Sequence, residues 1–252
     1  MVLWRGGVSC SAALGALVLK ERKMYSINGN KCFVPWVTLA LTVVAAGFYW
    51  LGDPWFDVLV WKSDWLARGE VWRILTGHLT HVSTDHLVWD LGVFIFLGSY
   101  LEKRRRGWLC GTIGLSIVLV DLLLRMTGRF DAYCGLSAID IGLFASVCLV
   151  LLKEGKKGQD RVVFWLGGLG LLLALGKVAF EWMAREPLFV TELGRGFAVA
   201  TESHLAGFLA AVVVFLFARI WHGVRVAIGA TRRLQKCNAT GERVERLSSC
   251  TK

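Results

Sequence analysis

The chain is short of charge and of proline. Only 19% of its 252 residues are Asp, Glu, Lys or Arg, and three are Pro. Soluble domains carry about 25% charged residues, so an ordinary soluble enzyme is excluded. Apolar residues make up 55%, with twelve Trp, which excludes a disordered chain. The seven cysteines are scattered, which excludes a disulfide-stapled miniprotein and leaves no zinc-ligand spacing. No segment is low in complexity, and no solenoid-type period recurs. A clear signal peptide is also lacking. The apolar run Ser11 to Leu19 is short, it ends in no small-residue cleavage site, and Lys20-Glu21-Arg22-Lys23 follows at once.

What is present is hydropathy: the mean is +0.54. A helix crosses a bilayer with about 20 mostly apolar residues. Six segments qualify: Pro35 to Leu51, Thr80 to Leu101, Gly107 to Leu124, Tyr133 to Leu152, Val162 to Ala184 and Ala198 to Trp221. They predict an all-α, polytopic six-helix bundle over residues 34–222. A loosely ordered leader is expected over 1–33, with Met24 an alternative start. A polar tail is expected over 223–252, frayed beyond Arg232. The net charge of +10 is read as basic loops held on one side of a membrane, not as a nucleic-acid surface. Twenty-one Lys and Arg lie in the two terminal segments and alternate loops, against seven in the opposite loops. Both termini are therefore expected in the cytoplasm of a multi-pass cell-membrane protein, with a bacterial inner membrane as the expected site.

Ionisable groups within spans are costly and are functional candidates by default. Here they are His78, His81, His86, Asp90, Asp121, Asp140, Lys177, Glu181 and His204. The second, fourth and sixth spans run from outside to inside. That places His86 and Asp90, Ser137 and Asp140, and His204 at one depth just below the outer surface. His86 and Asp90 share a helical face. Gly135 lets the chain enter the fourth span sharply and leaves backbone N–H groups free at a helix start. Gly207 and Ala211, on the face of His204, permit close helix approach, which would bring His204 against the Ser137 hydroxyl. A Ser–His pair is a nucleophile with its base. A lone intramembrane Ser is more often a packing residue; three polar helices meeting at one depth favour chemistry. Asp121 with Arg125, and Lys177 with Glu181, read as structural i,i+4 ion pairs. For Asp140, structural hydrogen bonding is the plainer reading. With Trp55, Trp61, Trp65 and Trp72, the first outer loop reads as a partly submerged interfacial element bracing the second span, with a simple surface loop carrying anchors as the plainer alternative.

These residues resemble a family. Gly69 to Phe94 (GEVWRILTGHLTHVSTDHLVWDLGVF) is similar to the first loop and second span of rhomboid intramembrane serine proteases, with Trp72-Arg73, His81, His86 and Asp90 at matching positions. Tyr133 to Phe144 (YCGLSAIDIGLF) resembles the family's Gly-x-Ser motif, and Glu202 to Ala211 (ESHLAGFLAA) its sixth-span His motif. The compact core and the GLSAID wording lean toward the rhombosortase branch, whose substrates bear glycine-rich C-terminal sorting tails. The resemblance implies a Ser137–His204 dyad without an aspartate. It implies an oxyanion hole from the Ser137 N–H, His86 and Asp90, with His81, Gly135, Gly207, Trp72, Arg73 and Asp140 in support. It implies a lateral gate at the glycine-rich, loosely packed fifth span. Transmembrane protein substrates and the lipid bilayer are the expected partners, with no nucleic acid, metal or cofactor. The sequence departs from the family at Ala138 (usually Gly), Ile141 (often aromatic) and Asp90 (usually Asn). At position 90 a neutral, proton-donating carboxyl is the favoured reading, with an ionised carboxylate paired to His86 as the other. Two further functions compete with the protease. An inactive helix-binding homologue is disfavoured because both dyad members are present, and a proton-relay transporter because the halves lack internal symmetry.

Overall fold

The computed structural model describes residues 33–184, 186, 188 and 200–249, with backbone alone at 230 and 232–249. Contacts divide the chain into Met1–Val34 and Pro35–Lys252. Apart from Phe33, the expected leader lies outside the described residues.

Helix α1 (Trp36–Trp50) is followed by a folded loop: α2 (Asp53–Leu59), β1 (Trp61–Lys62), α3 (Trp65–Arg68), α4 (Arg73–Thr76) and a 3₁₀ turn, Gly77–Leu79. Next come α5 (Thr84–Thr127), β2 (Ala132–Tyr133), α6 (Ser137–Gly158), α7 (Arg161–Ala184) and α8 (Thr201–Ser249). Within α5, Arg105 leaves helical geometry (φ −150°, ψ 55°), so this element holds both the second and the third expected spans. Among the described residues, three helical stretches are long and apolar enough to cross a membrane: Thr84–Thr127, Arg161–Ala184 and Thr201–Gly229. The tail expected to fray beyond Arg232 instead continues α8 as helix to Ser249.

Helix α6 is the central element, packed on α5, α7 and α8. Its contact with α8 is made by small residues. A side chain at Gly207 would collide with the Ala138 carbonyl, and a Cβ at Gly142 would sit 2.8 Å from the Gly207 carbonyl oxygen. The backbones touch, as small residues allow. Helix α7, expected to pack loosely, is close to α6 in its N-terminal half. A Cβ at Gly167 would lie 2.7 Å from the Cys148 carbonyl oxygen, and one at Gly170 would strike the Cys148 sulfur. Its glycines serve close approach, not looseness. Just before the Arg105 kink of α5, Glu102 is buried and accepts from the N–H groups of Val37 (3.0 Å) and Thr38 (2.9 Å). An acid thereby caps the start of α1, where backbone donors lack intrahelical partners.

The loop is a brace, and its buried tryptophans reach the third expected span. Trp61 and Trp65 are buried, and their indole N–H groups donate to Asp121 Oδ1 at 2.9 and 3.0 Å. Asp121 is thus the acceptor for two tryptophans. Arg125, its expected ion partner, lies over the Trp65 ring at 5.3 Å. Trp55 and Trp72 remain exposed. Strand β1 pairs antiparallel with β2, Trp61 opposite Tyr133. This tie anchors the chain just before Gly135 and Ser137.

Candidate active site

The second span starts later than its hydropathy suggests. Thr80 is extended, and the Ser83 hydroxyl caps the helix by accepting from the His86 N–H at 3.2 Å. His78 and His81 therefore precede α5 instead of lying within it. His78 packs edge-on against Tyr133, with ring centroids 5.2 Å apart.

His81, His86 and Asp90 converge. Asp90 Oδ2 lies 3.2 Å from Nε2 of both His81 and His86. The same oxygen accepts from the Leu136 N–H at 2.7 Å. A backbone N–H can only donate, so this oxygen is an acceptor. A neutral Asp90 would therefore carry its donating proton on Oδ1, while Oδ2 faces His86, here with His81 and Leu136 as well. Asp90 locks the entry to α6. Gly135 makes the close approach feasible. Its φ is +107°, and a Cβ there would fall 2.5 Å from His86 Nε2.

Ser137 is the first residue of α6. The first i→i−4 bond of this helix runs from the Asp140 N–H to the Leu136 carbonyl. The N–H groups of Ser137, Ala138 and Ile139 thus have no acceptor within the helix. From α8, His204 Nε2 approaches Ser137 Oγ at 3.0 Å, while its Nδ1 lies 2.7 Å from Glu181 Oε2. Glu181, on α7, also receives Lys177 Nζ at 2.6 Å and the Leu188 N–H at 3.1 Å on its other oxygen. The expected Lys177–Glu181 pair is present, but it does not account for Glu181. This carboxylate was missed as a site residue because its i,i+4 partner offered a sufficient explanation. Its position near the outer end of the fifth span, at the depth of His204, was the available signal.

Ser137, His204, His86, Asp90, Glu181 and Asp140 border one cavity of about 730 Å³ with otherwise mostly apolar walls. Asp140, expected to make a structural hydrogen bond, is buried one turn below Ser137, and its Oδ1 has no hydrogen-bond partner. Trp72 and Arg73 are not at this cavity. Trp72 donates to the Val58 carbonyl at 3.2 Å. Arg73 is buried in the loop, donating to the carbonyls of Asp57 (2.9 Å) and Val60 (2.6 Å) and to Glu70 Oε2 (2.6 Å). Glu70 lies outside the spans, and the Arg73 guanidinium holds its carboxyl below the usual carboxylate range.

Comparison with known proteins adds an independent line. The Rhomboid domain profile matches residues 68–220. The "Rhomboid protease GlpG" proteins of Salmonella paratyphi A and Salmonella typhi are each 26% identical to this chain over 180 residues, 70% of its length. The protein of that name from Salmonella newport matches to the same extent. The alignment takes in 59% of the length of each relative.

Proposed function

This chain belongs to the rhomboid family, and from that premise we propose that it is a six-span intramembrane serine endopeptidase. It would cut membrane-anchored proteins near the outer face of the bilayer. The observation that carries this reading is the 3.0 Å approach of Ser137 Oγ to His204 Nε2 at the wall of a cavity.

In this reading Ser137 Oγ attacks the scissile carbonyl while its proton passes to His204 Nε2, which returns it to the leaving amine. The unpaired N–H groups at the start of α6, Ser137 and Ala138, face the developing oxyanion. His86, held by Asp90, flanks them. Helix α7 is pinned to α6 in its inner half, while its outer half, with Leu172, Gly176 and Phe180, borders the cavity. A substrate helix would enter by displacing that outer half.

The finer reading is a rhombosortase specificity. Substrates would be surface proteins with one C-terminal span preceded by glycine-rich sequence. Glycine holds a helix poorly and leaves the scissile bond accessible. Efficient cleavage of generic single-span reporters combined with indifference to glycine-rich tails would reject this specificity and leave the protease reading standing.

The test of the activity uses purified protein in detergent, a single-span reporter and a fluorophosphonate probe. Ser137→Ala and His204→Ala each abolish cleavage and labelling, and the double variant is no worse than either, because the pair acts as a unit. Cleavage surviving in Ser137→Ala ends the proposal.

A further inference from the structure

Glu181 is 1% exposed, and both of its carboxylate oxygens have polar partners. One oxygen faces His204 Nδ1 at 2.7 Å; the other accepts from Lys177 at 2.6 Å and from the Leu188 N–H at 3.1 Å. A buried carboxylate is costly unless it is paired and hydrogen-bonded, and here both conditions are met. The distances run without a gap from Ser137 Oγ through both nitrogens of His204 to Glu181. We infer that Glu181 is a positioning residue for the proposed reaction, converting the Ser137–His204 dyad into a Ser–His–Glu triad with Lys177 as its counter-ion.

The physical content is the histidine tautomer. A neutral imidazole carries one N–H, and a carboxylate only accepts. Glu181 therefore draws the proton to Nδ1 and leaves Nε2 with the lone pair that Ser137 needs. During attack the Ser137 O–H bond breaks, the Oγ–carbonyl carbon bond forms, and the proton moves to Nε2. The imidazolium so formed donates through Nδ1 to Glu181, which stays ionised throughout. Lys177, one turn away on α7, keeps the acceptor charged and fixes its rotamer.

This inference rests on the protease reading, and its test separates the two. With a single-span reporter, Glu181→Gln is expected to lower kcat about a thousandfold or more while KM stays near wild type. The Gln oxygen turns to Lys177 and the Leu188 N–H, so its NH₂ faces Nδ1 and imposes the wrong tautomer. Glu181→Asp retains an acceptor and is expected to exceed Glu181→Gln by tenfold or more. A merely structural carboxylate would not move the second readout. In protein labelled with ¹⁵N-histidine, and with His204 assigned by comparison with His204→Ala, wild type shows Nδ1 protonated and Nε2 bare. In Glu181→Gln the proton moves to Nε2. A kcat for Glu181→Gln within threefold of wild type, or a wild-type His204 protonated at Nε2, overturns the triad even while Ser137→Ala remains dead. If Glu181→Gln does not fold, the wild-type ¹⁵N spectrum and Glu181→Asp decide. A wild-type protein that neither cleaves nor labels overturns the protease reading itself.

Discussion

Replacing Arg73 by alanine tests how far the folded loop supports the site. The residue is 3% exposed, and its Nη1 donates to the carbonyls of Val60 at 2.6 Å and Asp57 at 2.9 Å. Hydrogen bonds from a charged donor contribute roughly 1.5–3 kcal/mol each. The Glu70 pair adds little because the Glu70 side chain is partly exposed. Water can replace the lost partner at Asp57, which is exposed, but not at Val60, which is buried. The loop should therefore lose about 3 kcal/mol. That loss is transmitted, because Val60 leads into β1, β1 pairs with β2, and β2 precedes Gly135 and Ser137. Native-state hydrogen exchange in micelles measures the effect. Two amides report on it: the Ser63 N–H, bonded to the Asp131 carbonyl at 3.0 Å, and the Gly135 N–H, bonded to the Gly77 carbonyl at 3.2 Å. Their protection should fall about a hundredfold, with that of Phe94 and Leu109 unchanged and fluorophosphonate labelling of Ser137 reduced. Arg73→Lys, which reaches one carbonyl but cannot fork, should fall between. Unchanged protection at Ser63 and Gly135 would refute the account of the loop as a brace.

Asp90→Asn keeps an oxygen for the Leu136 N–H and the two imidazoles, which share Oδ2, but removes any carboxylate charge; it should lower the labelling rate about tenfold at every pH. Asp90→Ala should lower it further, since an unsatisfied buried N–H costs about 1–3 kcal/mol. An Asn variant as fast as wild type would show that the carboxylate charge is unimportant. For orientation, a cysteine placed at exposed Asp131 should react with impermeant thiol reagents only from outside, and Cys237 only from inside; the reverse pattern would overturn the orientation drawn from the basic loops.

Hydropathy and charge by themselves carried the architecture: where the apolar segments lie, the break between the second and third near Arg105, and the shared depth of His86, Ser137 and His204. These follow from one-dimensional constraints. An apolar stretch must be long enough for a bilayer, and a polar residue's depth is its distance from the end of its span. Gly207, spaced one turn from His204, also announced the close crossing of α6 and α8. What the sequence left open was which neighbour each polar group faces. Asp121 has Arg125 one turn away, yet it holds two indoles from the loop. Asp90 has His86 one turn away, yet it also holds His81 and the Leu136 N–H. Glu181 has Lys177 one turn away, yet its second oxygen meets His204 across the cavity. In each case the i,i+4 partner is visible in sequence because it lies on the same helix. The long-range partner depends on the rotation of one helix about its axis relative to another. Helix α7 is apolar on nearly every side between Val162 and Ala184, so no amphipathic pattern sets that rotation. It is set by the packing of Gly167 and Gly170 against α6, a contact that exists only once the chain is folded.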